Sequence, residues 1–490
     1  MFSDQTSSGI NGIIKIPGDK SISHRSIIIP SISNGICEIT NILKSDDVLR
    51  TIDAFKEMGV EIREENKKII INGKGLDSLQ KPTKDLYLGN SGTSARLLTG
   101  LLASQKFNSV LTGDKSLSSR PMKRITNPLT EMGAKIKTKD GKLPLQISGS
   151  ILKNSKIQID IPSAQIKSGL ILAALNTNGT SYINEQHITR DHTEIMLKSF
   201  GADIEVNKNG NSSEIKITGK KILRPKNIDV PADLSSSAFF IVAALINKNS
   251  NVTLENININ PTRNGILIAL EKMGAKIEIS NKKIRAGEIV ADLNITSSEL
   301  NGCELDEEIA KLMIDEFPIL SIAASQANSP SYFKGLDELR VKESDRLELI
   351  NHNLNNCGCY SKIKDNDLFI DPSKNKKIVN PEIRTDFGTA FKCWGNEYQI
   401  KTATRNKEFA HECYESDEAR SLLTEIRLAG GTGMADGTLQ WAFEDFYSGK
   451  NTNGVQTLMF THSDGTKTRV QLNPFHPAIQ EAYDMMCLYY

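Results

Sequence analysis

The sequence predicts an α/β protein made of several similar small units, with helices packed inside and sheets outside. A helix-like stretch that ends in glycine and is followed by two alternating strands recurs around Gly59, Gly133, Gly201, Gly274 and, more loosely, Gly358. Glycine suits the end of a helix, and the alternation that follows is typical of a hairpin. Between the hairpins lie segments that are nearly apolar on every side and so predict buried helices: SGTSARLLTGLLAS, AQIKSGLILAALN, SSSAFFIVAALI and EFPILSIAAS.

The spacing of the phrase and the chain length bound the domain organisation. The copies lie roughly seventy to eighty residues apart, enough for each to be an α/β unit that buries its own sheet face. At 490 residues the chain has room for about two or three domains. More than half of the aromatic residues, including Trp394 and Trp441, follow Asp386, and we place a boundary there.

Composition excludes several classes of function. Lys plus Arg is 60 and Asp plus Glu is 59, so there is no bulk attraction to nucleic acid or to an anionic membrane. No apolar run approaches the roughly 20 residues of a membrane span, and the N-terminal sequence lacks the pattern of a secretory signal, which predicts a cytoplasmic protein. The seven cysteines contain no CxxC pair and predict reduced thiols without a metal site.

The first candidate site is IPGDKSISHRS, where a strand ending at Pro17 is expected to lead into a helix opened by Ser21. Lys20, Ser21 and Arg25 would then surround a helix start, whose free N–H groups favour anions. The alternative is a solvated basic surface.

The next two candidates follow along the chain. In LGNSGTSARLL, Gly92 lets a ligand approach the backbone at the start of a helix that carries Arg96, although an ordinary N-cap by Ser91 explains the pattern equally well. In GDKSLSSRPMKR, Arg120 lies beside further basic residues and could clamp a carboxylate or phosphate. A solvated basic turn is the competing interpretation.

Two more candidates lie further on. IPSAQIKSG places Ser163 and Gln165 at the head of an apolar helix, and TRDHTE adds Arg190. Capping explains Ser163 as simply, and His192 is not expected to be catalytic. MIDEFPIL and ELRVKESDRLELI set Asp315 and Glu343 beside basic residues, which makes these two carboxylates acid/base candidates. A salt-bridged helix face is the alternative for KESDR.

Taken together, these motifs resemble 5-enolpyruvylshikimate-3-phosphate (EPSP) synthase, in order and spacing, over about residues 10–386. The resemblance is to the class II bacterial branch. It implies two similar domains, each of three βαβαββ units, with the site in the cleft between them; five units match here. The implied domains are residues 1–18 with 229–386 and residues 19–228, and residues 387–490 are not recognised.

The resemblance also implies a reaction: transfer of the enolpyruvyl group of phosphoenolpyruvate to the 5-hydroxyl of shikimate 3-phosphate, by a monomer that uses no metal or organic cofactor. Glycine at position 92 implies sensitivity to glyphosate, and Lys20, Asp315 and Glu343 would share the proton transfers. The residues implied to hold shikimate 3-phosphate are Ser21, Arg25, Ser163, Ala164, Gln165, Arg190, Asp315 and Lys342. Those implied to hold phosphoenolpyruvate are Lys20, Gly92, Arg120 and Arg346.

The chain departs from the family pattern after PEIRTD, where FGTAFKCWGNEYQ replaces the phrase Asp-His-Arg-Ile-Ala. Two or three cationic groups are missing from the implied site, and each charged hydrogen bond is worth about 1.5–3 kcal/mol. Impaired transfer is one expectation. The alternatives are an inactive protein that still binds shikimate 3-phosphate, a fusion whose aromatic C-terminal part binds a partner, and, less favoured by GDKSISHR and RVKESDR, transfer to a UDP-sugar.

Overall fold

A computed structural model describes residues 9–342, 344–376, 441–442, 456–461 and 467–472. The chain forms two compact units. The larger unit consists of residues 4–347 and 361–374, and the smaller one takes in residues 348–360 and the chain from residue 375 onward. Every candidate site residue that the structure describes belongs to the larger unit.

Five four-stranded sheets occur among the described residues, all with one arrangement: a parallel pair of strands, then an antiparallel hairpin. In spatial order they are β13 (Ile228–Asp229), β2 (Asn34–Thr40), β4 (Lys68–Lys74), β3 (Glu61–Glu65); β5 (Leu86–Tyr87), β6 (Ser109–Thr112), β8 (Lys142–Ser148), β7 (Lys135–Lys139); β11 (Asp203–Asn209), β12 (Ser212–Thr218), β10 (Thr180–Glu185), β9 (Lys156–Ile159); β1 (Asn11–Ile14), β14 (Asn251–Asn258), β16 (Glu288–Thr296), β15 (Lys276–Arg285); and β17 (Glu304–Leu305), β18 (Ser331–Phe333), β20 (Asp367–Ile370), β19 (Ser361–Lys364). A further antiparallel sheet lies in the C-terminal part of the chain and consists of β21 (Trp441–Ala442), β22 (Gln456–Thr461) and β23 (Lys467–Leu472).

The helices connect these strands. They are α1 (Lys20–Ser31), α2 (Asp46–Glu57), α3 (Gly92–Ala103), α4 (Lys115–Ser119), α5 (Lys123–Glu131), α6 (Ala164–Ala174), α7 (His192–Ser199), α8 (Leu234–Ile246), α9 (Gly265–Lys272), α10 (Glu307–Lys311), α11 (Phe317–Ser325) and α12 (Arg346–Asn356). Short 3₁₀ turns cover Asp337–Val341 and Pro372–Lys374. No helix in the described ranges combines the length and apolar character that crossing a membrane requires.

The recurring glycines end helices as predicted. Gly59, Gly133, Gly201, Gly274 and Gly358 follow α2, α5, α7, α9 and α12 and have φ of +82°, +95°, +84°, +85° and +84°. Glycine adopts this left-handed conformation without the steric cost that a Cβ would add. An antiparallel hairpin follows each one, so this local prediction is confirmed.

The four apolar segments form the buried helices α3, α6, α8 and α11, and each is mostly inaccessible to solvent. Alternate residues of β8, namely Leu143, Leu145 and Ile147, are buried while those between them face outward. Helices α3 and α6 cross very closely, because a Cβ on Gly100 would lie 1.9 Å from the carbonyl oxygen of Gly169. This crossing sets the first turns of both helices side by side. The helices and four-stranded sheets together confirm the α/β class.

Two local expectations near the first candidate site are wrong. Strand β1 ends at Ile14 rather than Pro17, because the carbonyl of Pro17 accepts a hydrogen bond from the N–H of Asp233 (3.0 Å). Helix α1 begins at Lys20 rather than Ser21, because the carboxylate of Asp19 accepts from the N–H of Ile22 (2.8 Å) and caps the helix.

Candidate active site

The start of α1 carries the first group of candidate residues. Lys20 is the first helical residue, and its Nζ lies 2.6 Å from Oδ2 of Asp47 on α2. The Lys20 side chain remains 25% exposed, so its ammonium is within reach of a ligand. Ser21 is half-buried beside it. The expected basic group at a helix start is therefore present, with a carboxylate neighbour that the motif itself did not indicate.

Arg25 is buried one turn further along α1. Its Nε donates to Oγ1 of Thr193 (2.6 Å), its Nη1 to the carbonyl of Ser21 (2.8 Å) and its Nη2 to Oγ of Ser168 (2.7 Å). Burial lowers the pKa of Arg25 to about 10, so the guanidinium is still charged at neutral pH. Its orientation is fixed by α1, α6 and α7 together.

Gly92 opens α3 between two arginines. A Cβ at this position would lie 2.8 Å from Nη1 of Arg96 and 3.0 Å from Nη1 of Arg120. Arg120 donates from Nη2 to Oδ1 of Asn90, which keeps its guanidinium near the helix start. Because glycine adds no side chain, two cations approach the free N–H groups at the start of α3. Ser91 caps the helix by accepting from the N–H of Ser94, so the N-cap alternative is confirmed, and the anion site at Gly92 stays a prediction.

Helix α6 begins beside α3. Ser163 is its N-cap, Ala164 is its first residue, and Gln165 follows. Gln165 accepts from Nη1 of Arg96 (2.7 Å) and donates from Nε2 to Oγ1 of Thr93 (3.0 Å). The polar first turns of α3 and α6 are therefore joined.

Asp315 lies at the centre of a cationic cluster just before α11. Its Oδ2 accepts from Nη2 of Arg190 (2.7 Å), and its Oδ1 accepts from Nη1 of Arg346 (3.2 Å) and lies 3.6 Å from Nζ of Lys342. Burial raises the pKa of Asp315, but the charges of Lys342, Arg190 and Arg346 more than offset this and hold it well below the usual carboxyl range. Asp315 is therefore a carboxylate at neutral pH and cannot act as a proton donor there.

A buried polar chain ties the helix starts of this region to one another. Nδ1 of His24 on α1 lies 2.8 Å from Oγ1 of Thr51 on α2, and that hydroxyl lies 2.7 Å from Oγ of Ser94 on α3. Burial lowers the pKa of His24 to about 3, so the ring is neutral and acts only through hydrogen bonds. The starts of α1 and α3 are consequently linked through Thr51 of α2.

The remaining candidates have different outcomes. Glu343 lies outside the described residues. His192 is buried and bonded through Nδ1 to Glu288 (2.8 Å), and the expectation that it is not catalytic stays a prediction. Arg124, in the first turn of α5, lies 3.7 Å from Glu338.

Sequence reasoning missed the residues that position the site. Asp47, Ser168 and Thr193 hold Lys20 and Arg25, and the last two lie 143 and 168 positions from Arg25. No local pattern pairs residues so far apart. The conspicuous Asp46-Asp47 pair at the start of a helix was the one usable signal.

The arrangement suits a small, strongly anionic ligand. Helix starts and guanidinium groups both favour phosphate and carboxylate oxygens, and Asp315 is a carboxylate in contact with Arg190 and Arg346. Among the described residues, no group of three or more His, Cys, Asp or Glu side chains is arranged to hold a metal ion. The chemistry that these residues can perform is proton transfer and charge stabilisation.

Comparison with known proteins decides the family. The sequence profile of EPSP synthase (3-phosphoshikimate 1-carboxyvinyltransferase) matches residues 5–386. The chain belongs to the EPSP synthase family. It is 45% identical over 370 residues to the 3-phosphoshikimate 1-carboxyvinyltransferase of Ruthia magnifica, covering 75% of this chain and 84% of that protein. It is 46% identical over 371 residues to that of Vesicomyosocius okutanii, covering 76% of this chain and 83% of the relative.

Solved structures agree with this family assignment. The EPSP synthase of Acinetobacter baumannii superposes with a TM-score of 0.68 at 43% identity and covers 75% of this chain and 83% of its own. The enolpyruvyl transferase NikO of Streptomyces tendae has a TM-score of 0.59 at 16% identity, which supports the fold alone. The enolpyruvyl transferase fold expected from the sequence is therefore confirmed.

Proposed function

We propose that this protein transfers the enolpyruvyl group of phosphoenolpyruvate to the 5-hydroxyl of shikimate 3-phosphate and releases phosphate. The observation that carries the proposal is Asp315, an ionised carboxylate enclosed by Arg190, Lys342 and Arg346. A carboxylate kept charged in this way can accept a hydroxyl proton, while the cations beside it balance the charge of anionic substrates. Membership in the EPSP synthase family names the substrates that fit this chemistry.

In this proposal shikimate 3-phosphate occupies the starts of α1 and α6. Arg25, Ser163 and Gln165 supply donors for its phosphate and hydroxyls, assisted by Ser21 and the backbone at Ala164. Asp315 accepts the proton of the 5-hydroxyl, with Lys342 and Arg190 holding the same substrate. The buried contacts that fix Arg25 support its role, because a pre-oriented guanidinium loses little freedom when it binds a phosphate.

Phosphoenolpyruvate would lie against Gly92, Arg120, Lys20 and Arg346. The gap that the missing Cβ leaves between two guanidinium groups supports this placement. Lys20 and Glu343 would deliver the proton to the enol carbon. Attack by the 5-hydroxyl then forms a tetrahedral adduct, and elimination removes a proton from the new methyl group and expels phosphate. Inhibition by glyphosate belongs to the same proposal and depends on glycine at position 92.

The division of the chain is also part of the proposal: residues 1–18 with 229–386, residues 19–228, and a separate segment 387–490. This division is supported by the antiparallel bridge between Gly18 and Ala232, because both residues lie near a proposed boundary between the first two domains. A monomer located in the cytoplasm is proposed from the family resemblance. Light scattering and cell fractionation test these last two points.

The test is phosphate release by the 490-residue chain supplied with both substrates. Turnover that disappears in Lys20→Ala supports the proposal. A protein that binds shikimate 3-phosphate in calorimetry without releasing phosphate contradicts it and favours an inactive binding protein, as the missing Asp-His-Arg-Ile-Ala phrase would allow. Lys44→Ala is the matched control, since Lys44 pairs with Glu64 at an exposed site and its loss should leave turnover unchanged.

A further inference from the structure

Arg263 is a buried arginine that lies between two aspartates from distant parts of the chain. Its Nη1 donates to Oδ2 of Asp19, and its Nη2 donates to Oδ1 of Asp233 (2.8 Å) and to Oγ of Ser235 (2.7 Å). Burial lowers the pKa of Arg263, but Asp19 and Asp233 raise it more, so the group stays cationic. The guanidinium therefore bridges the two aspartates, with one terminal nitrogen bonded to each.

The two aspartates lie in two chain segments, residues 17–19 and 231–233, that are hydrogen-bonded to each other. The N–H of Asp19 donates to the carbonyl of Pro231 (2.8 Å), and the N–H of Asp233 donates to the carbonyl of Pro17 (3.0 Å). Gly18 fits here because a Cβ would lie 1.9 Å from the carbonyl oxygen of Asn41. The two segments are thus locked in register, and Arg263 joins their side chains across the pairing.

Each aspartate is also the N-cap of a helix. Asp19 caps α1 by accepting from the N–H of Ile22 (2.8 Å), and Asp233 caps α8 by accepting from the N–H of Ser235 (3.2 Å). One oxygen of Asp19 faces the helix and the other faces Arg263. Lys20 follows Asp19 directly, so the arginine fixes the residue that precedes the proposed catalytic lysine.

The contact continues to the proposed catalytic carboxylate. Oγ of Ser235 accepts from Arg263 and donates to Oε1 of Glu316, which is buried and directly follows Asp315. Glu316 is also the N-cap position of α11. An unbroken series of hydrogen bonds therefore runs from the neighbour of Lys20, through Arg263, to the neighbour of Asp315.

We propose that Arg263 is a positioning residue that orients Lys20 and Asp315 by holding Asp19, Asp233 and, through Ser235, Glu316, which lie at the starts of α1, α8 and α11. The inference rests on the proposed function for its catalytic meaning. Lysine would keep the positive charge at this position, but a single ammonium cannot reproduce the planar contact of a guanidinium with both Asp19 and Asp233. Arg263→Lys is therefore the informative change.

The first measurement needs no substrate. In Arg263→Lys the rate of amide hydrogen exchange should rise by about tenfold or more in the first turns of α1, α8 and α11. The amides to follow there are those of Ile22, Ser23, Ser235 and Leu320. The exchange rates of α5 should stay unchanged. The matched control is Arg285→Lys. Arg285 pairs with Asp229 (2.6 Å), which lies shortly before Ala232 in the chain, and it has no hydrogen bond with the starts of α1, α8 and α11 among the described residues. Unchanged exchange, or a rise throughout the chain, overturns the inference.

The second measurement is a double-mutant cycle on the affinity for shikimate 3-phosphate. Arg263→Lys should weaken binding by about tenfold in the native chain. In the Asp315→Asn background the same change should weaken binding by only about threefold or less, because both changes act on one contact network. Equal losses in the two backgrounds would overturn the positioning role, since a purely structural effect is additive. A chain that never binds shikimate 3-phosphate refutes the proposed function instead, and the exchange result then decides whether Arg263 holds the helix starts.

Discussion

Nη2 of Arg190 lies 2.7 Å from Oδ2 of Asp315, although the two residues are 125 positions apart in the chain. Arg190 directly precedes the N-cap of α7, and Asp315 lies just before α11. Contact between them brings the TRDHTE and MIDEFPIL motifs into one site. The pair also explains why Asp315 is ionised, because Arg190 is one of three cations that lower its pKa.

Asp315→Asn should reduce turnover by about a hundredfold to ten-thousandfold, the range that a positioned general base contributes. The amide keeps the size of the carboxylate but cannot accept the proton of the 5-hydroxyl. Phosphate release at saturating substrates measures the effect. Asp306→Asn removes one exposed carboxylate charge at the N-cap of α10, where asparagine caps as well as aspartate, and is the control for a general loss of carboxylate charge. A similar fall in both variants would argue against a base at position 315.

The depressed pKa of Asp315 predicts how stability depends on pH. A carboxyl group with a folded pKa below its unfolded value of about 3.9 adds stability above that pH and loses it as pH falls through the folded value. The native chain should therefore exceed Asp315→Asn in unfolding temperature at pH 7, and the difference should shrink in strong acid. Calorimetric melting at pH 7, 5 and 3 tests this. A difference that grows as pH falls would contradict the lowered pKa.

Arg25→Lys should weaken binding of shikimate 3-phosphate by about tenfold to a hundredfold. The substitution keeps the positive charge but loses the contacts with Ser168 and Thr193 that orient the guanidinium. Calorimetric titration measures the dissociation constant. Arg63→Lys, at an exposed site on β3, is the control and should leave binding unchanged. Native affinity in Arg25→Lys would remove Arg25 from the proposed phosphate site.

Lys167→Met should lower the free energy of unfolding by about 3–5 kcal/mol, since removing one partner leaves buried charges uncompensated. Nζ of Lys167 lies 2.9 Å from both Glu185 and Glu194, and all three side chains are buried. Denaturant melts give the change in free energy. Lys216→Met, at an exposed pair with Glu205, should leave the midpoint unchanged. A small effect at Lys167 would mean that the glutamates take up protons on losing their partner.

Local features of the fold were predictable from the sequence, whereas most side-chain pairings were not. The helix end at Gly59 and the hairpin after it follow from nearby residues, because capping and alternation act over a few positions. The contact of Arg263 with Asp19 spans 244 positions and depends on how distant segments pack. No periodicity in one sequence records such a contact.

The site itself was predicted at the level of motifs. Helix starts that carry Lys20, Gly92 and Ser163 were recognised, since small and polar residues before an apolar run indicate an N-terminus. The strand assigned up to Pro17 was wrong because Pro17 pairs with the second passage of the chain, near Asp233. That pairing is a tertiary event, and the sequence around Pro17 gives no sign of it.

Strand β1 pairs in parallel with β14, and the N–H of Ile10 donates to Ser250, which lies 240 residues later. At about 5–20 residues per second, a ribosome needs roughly 12–48 seconds to supply that partner. The residues between include the complete sheets built from β5 to β12, which can therefore form first. Strand β1 is therefore synthesised well before its partner β14, and it can form this pairing only after the chain of both sheets has been made.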